Sequence, residues 1–500
     1  MTRQVIKLGS SSIASRDGLA LDVIAGLVSQ IAAAQRAGHE IILVTSGAAR
    51  LGRRLLAFEG PTAGAAAALQ ALVGSVRASV DAAADYDRLV ASLAETLRRY
   101  DGPADSQDTT DTALPAAVGQ PALMALYRQL AAAVGVEVGQ ILVSRSDLAS
   151  ARAMGDLGHV LREATARGLL PIVNGNDATN PLSALDNDQV AVAVAVASEA
   201  TRLLFLTDVR AAYRDSSLSE RIGRLTPAEA RAVRVSAGGS GRGGMGSKLS
   251  AAARAACCGV ECTISSAREP DVVARSLNPR ARTGTIVRAA GAPLEPARRW
   301  IGGIAYSEGS VHVNREAEDS LRGGSTLFLS GVKRVDGDFP AGSVVELLDV
   351  RHPERLLGRG SVALPSSLLR LLRALSPQEV ACVIAILLRL RYASTAPGSN
   401  AGEPASAGSL LDPDVYKDCR ELATGTSRAS QEAYAQLAGA SAERVTELAD
   451  SLLLAQPQLC TTFLLSQGFL HGQVPADPAA RRVVRGIHAV HRESLVVYPA

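Results

Sequence analysis

Short aliphatic runs alternate with segments of helical periodicity from Val5 to about Ala289. Residues 21–36 carry apolar side chains at helical spacing, and Gly38 follows where such a helix would end. The apolar runs between the helical segments are bounded by turn residues, as the strands of a buried sheet are. The predicted strands are Val5–Leu8, Ile41–Val44, Gln140–Val143, Pro171–Val173, Leu203–Leu206 and Cys262–Ile264. This alternation predicts an α/β fold in which a mainly parallel sheet is sandwiched by helices.

The pattern changes between Arg299 and about Leu372, where glycines separate short strand-like segments. The predicted strands of this part are Ser310–Val313, Thr326–Leu329, Ser343–Leu348 and Gly360–Ala363. They predict a small β-rich second domain. The connector Ala289–Pro296 contains Gly and two Pro residues, so we expect the boundary there. The first domain is then predicted to span 1–289 and the second to span 297–500.

Two stretches interrupt this rhythm. Residues from about 58 to 112 are rich in Ala and end in Asp and Thr, which favours a surface insertion in the first domain. Residues 393–413 are rich in Ser, Gly, Pro and Ala, which is typical of a linker. The linker is followed by renewed helical periodicity over 432–454.

The composition supports a globular protein of two or more domains, with 500 residues, of which 47% are hydrophobic and 20% charged. Aromatic residues make up only 3%, so Ala, Val, Leu and Ile must form the core. A net charge of +3 gives no argument for bulk attraction to nucleic acid or membranes. We find no apolar signal segment and no uncharged apolar stretch of the ~18–20 residues that a membrane span needs. We therefore expect a soluble, cytoplasmic protein without membrane contacts.

Three of the six cysteines cluster, at Cys257, Cys258 and Cys262. A zinc site would need a second pair of ligands, and no nearby His supplies one. We expect buried thiols in a helix end and the next strand.

Two segments have the composition of phosphate-binding loops. Lys7 lies near the end of the first predicted strand, and only Leu8 separates it from Gly9 and three serines, where backbone N–H groups can approach phosphate oxygens and the lysine adds a positive charge. Residues 238–248 are glycine-rich and precede a helix-like segment. Ser247 separates Gly246 from Lys248, which excludes a Walker A motif. Taken singly, each segment also fits a solvated strand end or a glycine-rich loop without a ligand.

Polar side chains gather at two further strand ends. Asn174, Asn176 and Asp177 follow one strand, with Asp186-Asn187-Asp188 shortly after. They could bind an amino group, hold Mg²⁺ through water or orient the lysines, or they could simply form turns and caps. Thr207 and Asp208 end another strand, with Tyr213 following, and could contact a nucleotide or form a turn.

Seven motifs occur together and in order along the chain. They are Lys7–Ser10, Val44–Ala48, Ala117–Gln120, Asn174–Asp177, Asp186–Asp188, Leu206–Asp208 and Gly243–Lys248. The ordered set resembles the amino acid kinase family, and within it the glutamate 5-kinases. The segment that opens at Arg298 resembles the start of the PUA domain that bacterial-type members of that group carry. The resemblance covers about 5–372.

The resemblance implies an ATP-dependent kinase that converts L-glutamate to glutamyl 5-phosphate, the first step of proline biosynthesis. Lys7 and Lys248 would neutralise charge on the transferred phosphoryl group, and Asp188 would hold both lysines. The residues implied in binding ATP, with Mg²⁺ bridging its phosphates, are Lys7, Gly9, Thr207, Asp208, Tyr213, Arg242, Gly243, Gly244, Met245, Gly246, Ser247 and Lys248. Those implied in binding L-glutamate are Ser46, Gly47, Asn174, Asp177, Asp186 and Asn187. No protein ligand to a metal is assigned, and the resemblance implies proline as feedback inhibitor and a homo-oligomer.

The chain departs from the family pattern in places. Gly175 stands where the family usually has Glu, and Leu185 replaces a common Gly, but neither change touches Lys7, Lys248 or Asp188. Residues 366–386 resemble the approach to the last PUA strand, and 488–495 resemble the end of that strand. We therefore predict that about 390–484 is an insertion within the PUA-like domain.

Two alternatives remain open at this point. One is another kinase of the same fold, acting on N-acetylglutamate, aspartate, carbamate or a nucleotide, although the PUA-like domain and Asn174–Asp177 argue against it. The other is an RNA-binding protein with a vestigial kinase fold. The basic residues that could contact RNA phosphates are Arg298, Arg299, Lys333, Arg334 and Arg351. Acidic residues interleave them, which favours a solvated face.

Overall fold

A computed structural model describes most of the chain, as two compact units, Met1–Tyr306 and Ser307–Tyr498. The described residues are 1–9, 12–15, 18–56, 112–179, 186–214, 219–233, 244–281, 283–290, 294–376, 379–380, 383–384, 386–387, 428–438, 442–455 and 488–498. The division between the units falls later than the predicted start of the second domain at 297. The insertion predicted at about 58–112 lies outside the described residues except for Thr112, and so does the predicted linker 393–413.

The first unit is built on an eight-stranded sheet. Its strands, in the order in which they lie side by side, are β5 (Val138–Val143), β6 (Leu170–Gly175), β4 (Glu40–Val44), β1 (Arg3–Leu8), β7 (Arg202–Thr207), β9 (Glu261–Ser266), β10 (Thr285–Val287) and β8 (Arg224–Leu225). All neighbours are parallel except β9 and β10. A separate short hairpin pairs β2 (Ala14–Ser15) with β3 (Gly18–Leu19). The predicted mainly parallel sheet is confirmed.

Helices cover both faces of this sheet. They are α1 (Leu21–Arg36), α2 (Ala48–Leu56), α3 (Ala113–Ala133), α4 (Arg145–Ala149), α5 (Ala151–Ala166), α6 (Asn187–Ala197), α7 (Pro227–Ala232), α8 (Met245–Cys257), α9 (Val272–Leu277) and α10 (Pro296–Arg299), with a π-helical turn over Trp300–Ile304. Side chains alternate along β1, so Ile6 joins a core with α1, α3 and α9, whereas Val5 joins a core with α5, α6 and α8. This alternation produces the predicted sandwich.

The helix α6 is apolar all round, because Val and Ala alternate from Val190 to Ala197 and the side chains of 190–195 are fully buried. It lies beneath the sheet within the core that contains Val5. Nowhere in the described residues is a helix both long enough and apolar enough to cross a bilayer. Cys257, Cys258 and Cys262 are buried free thiols, as predicted, and burial holds the pKa of Cys262 well above its usual value.

The second unit contains a six-stranded sheet. Its strands, again in spatial order, are β12 (Leu327–Phe328), β16 (His488–Val497), β15 (Leu356–Val362), β14 (Val344–Asp349), β11 (Gly309–Val313) and β13 (Val332–Asp336). Only β11 and β14 are parallel. The helices of this unit include α11 (Arg315–Arg322), α12 (Ser366–Leu372), α13 (Arg428–Ala438) and α14 (Ala442–Ala455).

Strand β16 lies inside this sheet, between β12 and β15, although it comes last in the chain. Leu437 of α13 and Leu452 of α14 are buried in the same apolar core as Val311 of β11. The helices that precede β16 therefore share the core of the second unit. The bounds of the insertion predicted at about 390–484 stay a prediction.

Five of the strands were not expected from the sequence, and two of them are the two-residue strands β2 and β3. Strand β13 reads Val-Lys-Arg-Val-Asp and lies at the edge of its sheet, so only two of its side chains are apolar and buried. Strand β8 has two residues and β10 has three. Hydrophobic periodicity cannot detect elements this short or this charged.

Helices α2 and α3 cross with their backbones in contact. A Cβ atom at Gly119 would lie 1.9 Å from the carbonyl oxygen of Ala48, and one at Gly52 would lie 1.7 Å from that of Pro115. Glycine is therefore required at both positions by the close approach of the two helices. This crossing fixes the start of α2, directly after the turn that follows β4.

We predict that Gly119→Ala lowers the free energy of unfolding by about 1–3 kcal/mol, because the added methyl group meets backbone that cannot move aside. Gly155→Ala is the matched control, since Gly155 also lies in a helix but has open space around its Cβ position. The control should raise stability by about 0.5–1 kcal/mol through helix propensity. Urea unfolding followed by circular dichroism measures both, and equal midpoints for the two variants would contradict the crossing.

Candidate active site

A buried carboxylate lies between two buried ammonium groups. Asp188 Oδ1 is 2.7 Å from Lys7 Nζ, and Asp188 Oδ2 is 3.4 Å from Lys248 Nζ. The exposed fractions of the three residues are 0% for Asp188, 5% for Lys7 and 4% for Lys248. Each carboxylate oxygen thus faces one lysine, and the group as a whole carries one net positive charge.

Three elements bring these side chains together at the carboxyl edge of the sheet. Lys7 is next to last in β1, and it follows Val5 on the face where α6 and α8 pack. Asp188 lies in the first turn of α6, and Lys248 lies in the first turn of α8. The N-termini of two helices therefore meet the end of the central strand, where their backbone dipoles favour an anion.

Asp186 ties the two helix N-termini to each other. As the N-cap of α6 it accepts a hydrogen bond from the backbone N–H of Asp188 at 3.0 Å. Its other oxygen accepts a hydrogen bond from Ser247 Oγ of α8 at 2.9 Å. The sequence placed Asp186 among the glutamate-binding residues and Ser247 among the ATP-binding residues. In the structure these two side chains are hydrogen-bonded to each other, so a residue expected to bind glutamate contacts a residue expected to bind ATP.

A chain of amide side chains forms the second part of the site. Asn187 Nδ2 donates to Ser46 Oγ at 2.7 Å and to Asn174 Oδ1 at 3.4 Å. Asn174 Nδ2 in turn donates to Gln120 Oε1 of α3 at 2.9 Å. Asn187 Oδ1 is buried and accepts no hydrogen bond within the described part of the chain. It is therefore an acceptor available to a ligand.

Gln120 was not singled out as a site residue from the sequence. It lies in the motif Ala117–Gln120, one position after the glycine at which α3 crosses α2, and this motif was the available signal. The crossing places its amide oxygen against Asn174. Its Nε2 is buried and has no partner among the described residues, so it is a donor still available at the site.

The turn after β4 depends on Gly47. Its φ of +104° belongs to the left-handed region, and a Cβ atom there would lie 2.4 Å from Ile13 Cδ1. One residue earlier, Ser46 faces Asn187, as described above. Thr45 Oγ1 is 2.7 Å from the hydroxyl of Tyr127, and burial raises the pKa of that phenol to about 12. A neutral hydroxyl pair thus supports the turn from beneath.

Asp177 and Asn187 each place a side-chain oxygen near Gly175. A Cβ atom at Gly175 would lie 3.2 Å from Asp177 Oδ1 and 3.7 Å from Asn187 Oδ1, so both oxygens flank this glycine. Burial raises the pKa of the Asp177 carboxyl. Two oxygen acceptors near the same glycine suit a cationic group such as an ammonium.

The expected nucleotide side is described only in part. Gly9 N donates to Leu206 O at 3.4 Å, which joins the ends of β1 and β7, and Thr207 Oγ1 donates to Asp208 Oδ1 at 2.8 Å. Gly244 is the N-cap of α8, and Met245 and Gly246 lie in its first turn. Tyr213 pairs with Arg221 in an isolated bridge. Arg242 and Gly243 lie outside the described residues.

No group of three or more His, Cys, Asp or Glu side chains that could hold a metal ion occurs in the part of the chain that the structure describes. Asp186 and Asp188 are both committed, one to capping and one to the lysines.

Residues 2–266 match the model of the amino acid kinase family, which is more than half of the chain. The chain belongs to this family. Residues 309–376 match the PUA domain, which falls within the second unit. The resemblance inferred from the seven motifs is thereby confirmed, as is its extension to a PUA domain.

Several curated relatives of this amino acid kinase are glutamate 5-kinases. The one from Synechococcus sp. (strain CC9605) is 32% identical over 381 residues, covering 74% of this chain and 93% of the relative. The one from Gloeobacter violaceus is 32% identical over 399 residues, covering 77% and 95%. The one from Proteus mirabilis is 29% identical over 391 residues, covering 76% and 94%. A solved carbamate kinase from Giardia lamblia bound to AMP-PNP aligns at 15% identity with a TM-score of 0.38, over 58% of this chain and 99% of that one, and adds nothing to the assignment.

We predict that Asp177→Asn stabilises the protein near neutral pH and that the gain disappears in acid. The folded protein holds the Asp177 proton more tightly than the unfolded chain, because the folded pKa is raised. The ionised carboxylate thus costs stability above the folded pKa, and this cost vanishes as the pH falls through the unfolded value of about 4. Urea midpoints measured between pH 8 and pH 4.5 test this prediction.

Asp156→Asn serves as the control for this experiment, because Asp156 is an exposed aspartate on a helix of the same unit. It should shift the midpoint little at any pH. A gain in Asp177→Asn that is as large at pH 4.5 as at pH 8 would show that burial of the charge is not the cause.

Proposed function

We propose that this protein transfers the γ-phosphoryl group of ATP to the side-chain carboxylate of L-glutamate and so makes glutamyl 5-phosphate, the first intermediate of proline biosynthesis. The observation that carries the proposal is the buried group of Lys7, Asp188 and Lys248 at the carboxyl edge of the sheet. The glutamate 5-kinases that align with most of this chain support the choice of substrate.

The charge of this group suits phosphoryl transfer. Two ammonium groups against one carboxylate leave one positive charge, in a place where burial strengthens electrostatic interactions. The transferred phosphoryl group carries its negative charge on oxygens that such cations stabilise. Asp188 contacts both lysines and fixes the spacing between them, so we assign it as a positioning residue.

The N-terminus of α8 suits the polyphosphate of ATP. Gly244, its N-cap, has open space where a side chain would otherwise lie, so phosphate oxygens can approach the backbone N–H groups. Ser247 and Lys248 follow in the first turn. Mg²⁺ belongs to the proposal as the companion of ATP, held by phosphate oxygens, where it neutralises part of their charge.

The acceptor side of the site suits an amino acid with a free amine. The Asp177 carboxylate and the unoccupied Asn187 Oδ1 would accept hydrogen bonds from the α-ammonium group of glutamate. Ser46, Gly47 and Asn174 would surround the same ligand. An N-acetylated amine is neutral, so this pair of acceptors favours L-glutamate over N-acetylglutamate.

The reaction needs no general base. The glutamate side chain is already ionised at neutral pH, so its oxygen attacks the γ-phosphorus directly while the bond from phosphorus to the leaving ADP oxygen breaks. Catalysis then rests on holding the two substrates in line and on stabilising charge. The described residues supply both means through their amide network and their two lysines.

Further parts of the proposal rest on the resemblance alone. We propose proline as feedback inhibitor, a homo-oligomeric assembly and a cytoplasmic location. We also propose Arg242, Gly243 and Tyr213 as ATP contacts.

RNA binding by the PUA domain is the alternative partner. Two of the arginines that could contact RNA already form ion pairs. Arg334 Nε lies 2.8 Å from Asp336 Oδ1, and Arg351 Nη2 lies 2.8 Å from Asp349 Oδ2. The hydrogen bonds from Arg351 lower the pKa of Asp349 to about 2. These arginines are less available to phosphates, so we give RNA binding second place.

We predict that the purified protein, supplied with Mg-ATP, L-glutamate and hydroxylamine, forms a hydroxamate, because hydroxylamine traps acyl phosphates. Lys248→Ala and Lys7→Ala should each lower the rate by about 10²–10³-fold, the effect of removing one charge-stabilising group. Either variant leaves Asp188 paired with the remaining lysine, so the buried charges stay balanced and the fold should persist.

Lys333→Ala provides the matched control, since Lys333 is an exposed lysine in the second unit. N-acetylglutamate and aspartate are supplied in parallel. Hydroxamate from one of these acids but not from L-glutamate would overturn the substrate assignment. Full activity of Lys248→Ala would overturn the role of the lysine pair.

A further inference from the structure

A polar cavity of about 160 Å³ lies at the amino edge of the first sheet. Arg202 and Glu261, the first residues of β7 and β9, line it, whereas the candidate active site lies where these strands end. A strand of six residues spans about 17–20 Å, so the cavity is separate from the lysine group. All of its lining residues belong to the first unit.

The cavity is lined by polar side chains because one face of the sheet is polar at this edge. Cys262 and Ile264 of β9 point into the apolar core with α8, so the alternate residues Glu261 and Thr263 point to the other face. Helix α9 covers that face, and there it contributes Arg275 to the cavity wall. Polar side chains from both the sheet and its covering helix therefore enclose the space.

The lining carries a large excess of positive charge. Four arginines face a single carboxylate, that of Glu261. Arg202 donates to Glu261 at 2.7 Å, and Arg275 lies 3.4 Å from Glu269, which does not line the cavity. Arg224 and Arg288 also line the cavity, are exposed to solvent and have no ion pair with any carboxylate in the described ranges. Their positive charges are therefore available to an anion.

A buried hydroxyl gives an independent indication of a ligand. Thr283 lines the cavity and is only 3% exposed, yet its Oγ1 has no hydrogen-bond partner among the described residues. A buried polar atom without a partner costs stability, so its presence next to unpaired arginines calls for an explanation. An oxyanion in the cavity would accept a hydrogen bond from this hydroxyl and from the guanidinium groups together.

We propose that this cavity binds an oxyanion of the phosphate class, either free phosphate or a small phosphate monoester. A guanidinium group can donate two parallel hydrogen bonds to two oxygens of one phosphate. A neutral ligand makes no use of the positive charge of the cavity. Water occupies about 30 Å³ per molecule in the liquid, so a cavity of about 160 Å³ holds the volume of about five waters. This is room for a phosphate group with a small substituent. The proposal does not depend on the proposed kinase activity.

Calorimetric titration of the full chain with inorganic phosphate, in the absence of ATP, tests the site. The Arg224→Gln, Arg288→Gln double variant should bind about tenfold more weakly or worse, because two charge-assisted contacts are lost. Arg128→Gln, an exposed arginine on α3 outside the cavity, should bind as the wild type does. Thr283→Val should weaken binding about two- to tenfold while leaving the ligand-free protein at least as stable, since it removes an unpartnered hydroxyl.

Titration with glycerol 3-phosphate distinguishes the two sources. Tighter binding than that of inorganic phosphate identifies a monoester, and equal or weaker binding identifies free phosphate. Phosphate that binds the double variant as tightly as the wild type, and that is lost in Lys248→Ala, would place the anion at the lysine group and overturn the proposal. The absence of saturable binding to the wild type would overturn it as well.

Discussion

The arrangement of β1, α6 and α8 in the first unit depends on the carboxylate of Asp188, which is fully buried. A charge in such a place is tolerated only if opposite charges and hydrogen bonds replace the water it has lost. Lys7 and Lys248 supply the charges, and they reach Asp188 only when β1, α6 and α8 are all in their native places. The lysines depend on the carboxylate in the same way, since two buried ammonium groups would otherwise repel each other. One electrostatic constraint therefore fixes a strand and two helices.

The same constraint explains why the site could be anticipated from the sequence in part. The predicted strand placed Lys7 at its carboxyl end, and side-chain alternation along β1 then determines its face. Neither argument connects Lys7 with Lys248, which lies far along the chain on another element. The ordered set of motifs made that connection through family resemblance. The bond between Asp186 and Ser247 was not foreseen, because sequence motifs assign residues to ligands and do not show which side chains meet across two helix ends.

Other features escaped prediction because tertiary packing decides them. The connector at Ala289–Pro296 suggested where the second domain begins, but Trp300 and Ile304 pack against the core of the first unit, which extends that unit to Tyr306. Strand β13 pairs at a sheet edge, where exposed Lys333 and Arg334 are compatible with a strand but hide it from a hydrophobic pattern. The polar alternation of β9 was visible in the sequence, yet nothing there indicated that α9 would cover it with another arginine.

The two edges of the first sheet carry different sites, the lysine group at the carboxyl edge and the arginine-lined cavity at the amino edge. From Arg202 and Glu261 at the amino edge to Thr207 and Ser266 at the carboxyl edge, β7 and β9 are paired at every position. A buried ladder without a bulge has no hinge at which one end could move independently of the other. An anion at the amino edge and a nucleotide at the carboxyl edge would therefore be held at opposite ends of the same rigid pair of strands.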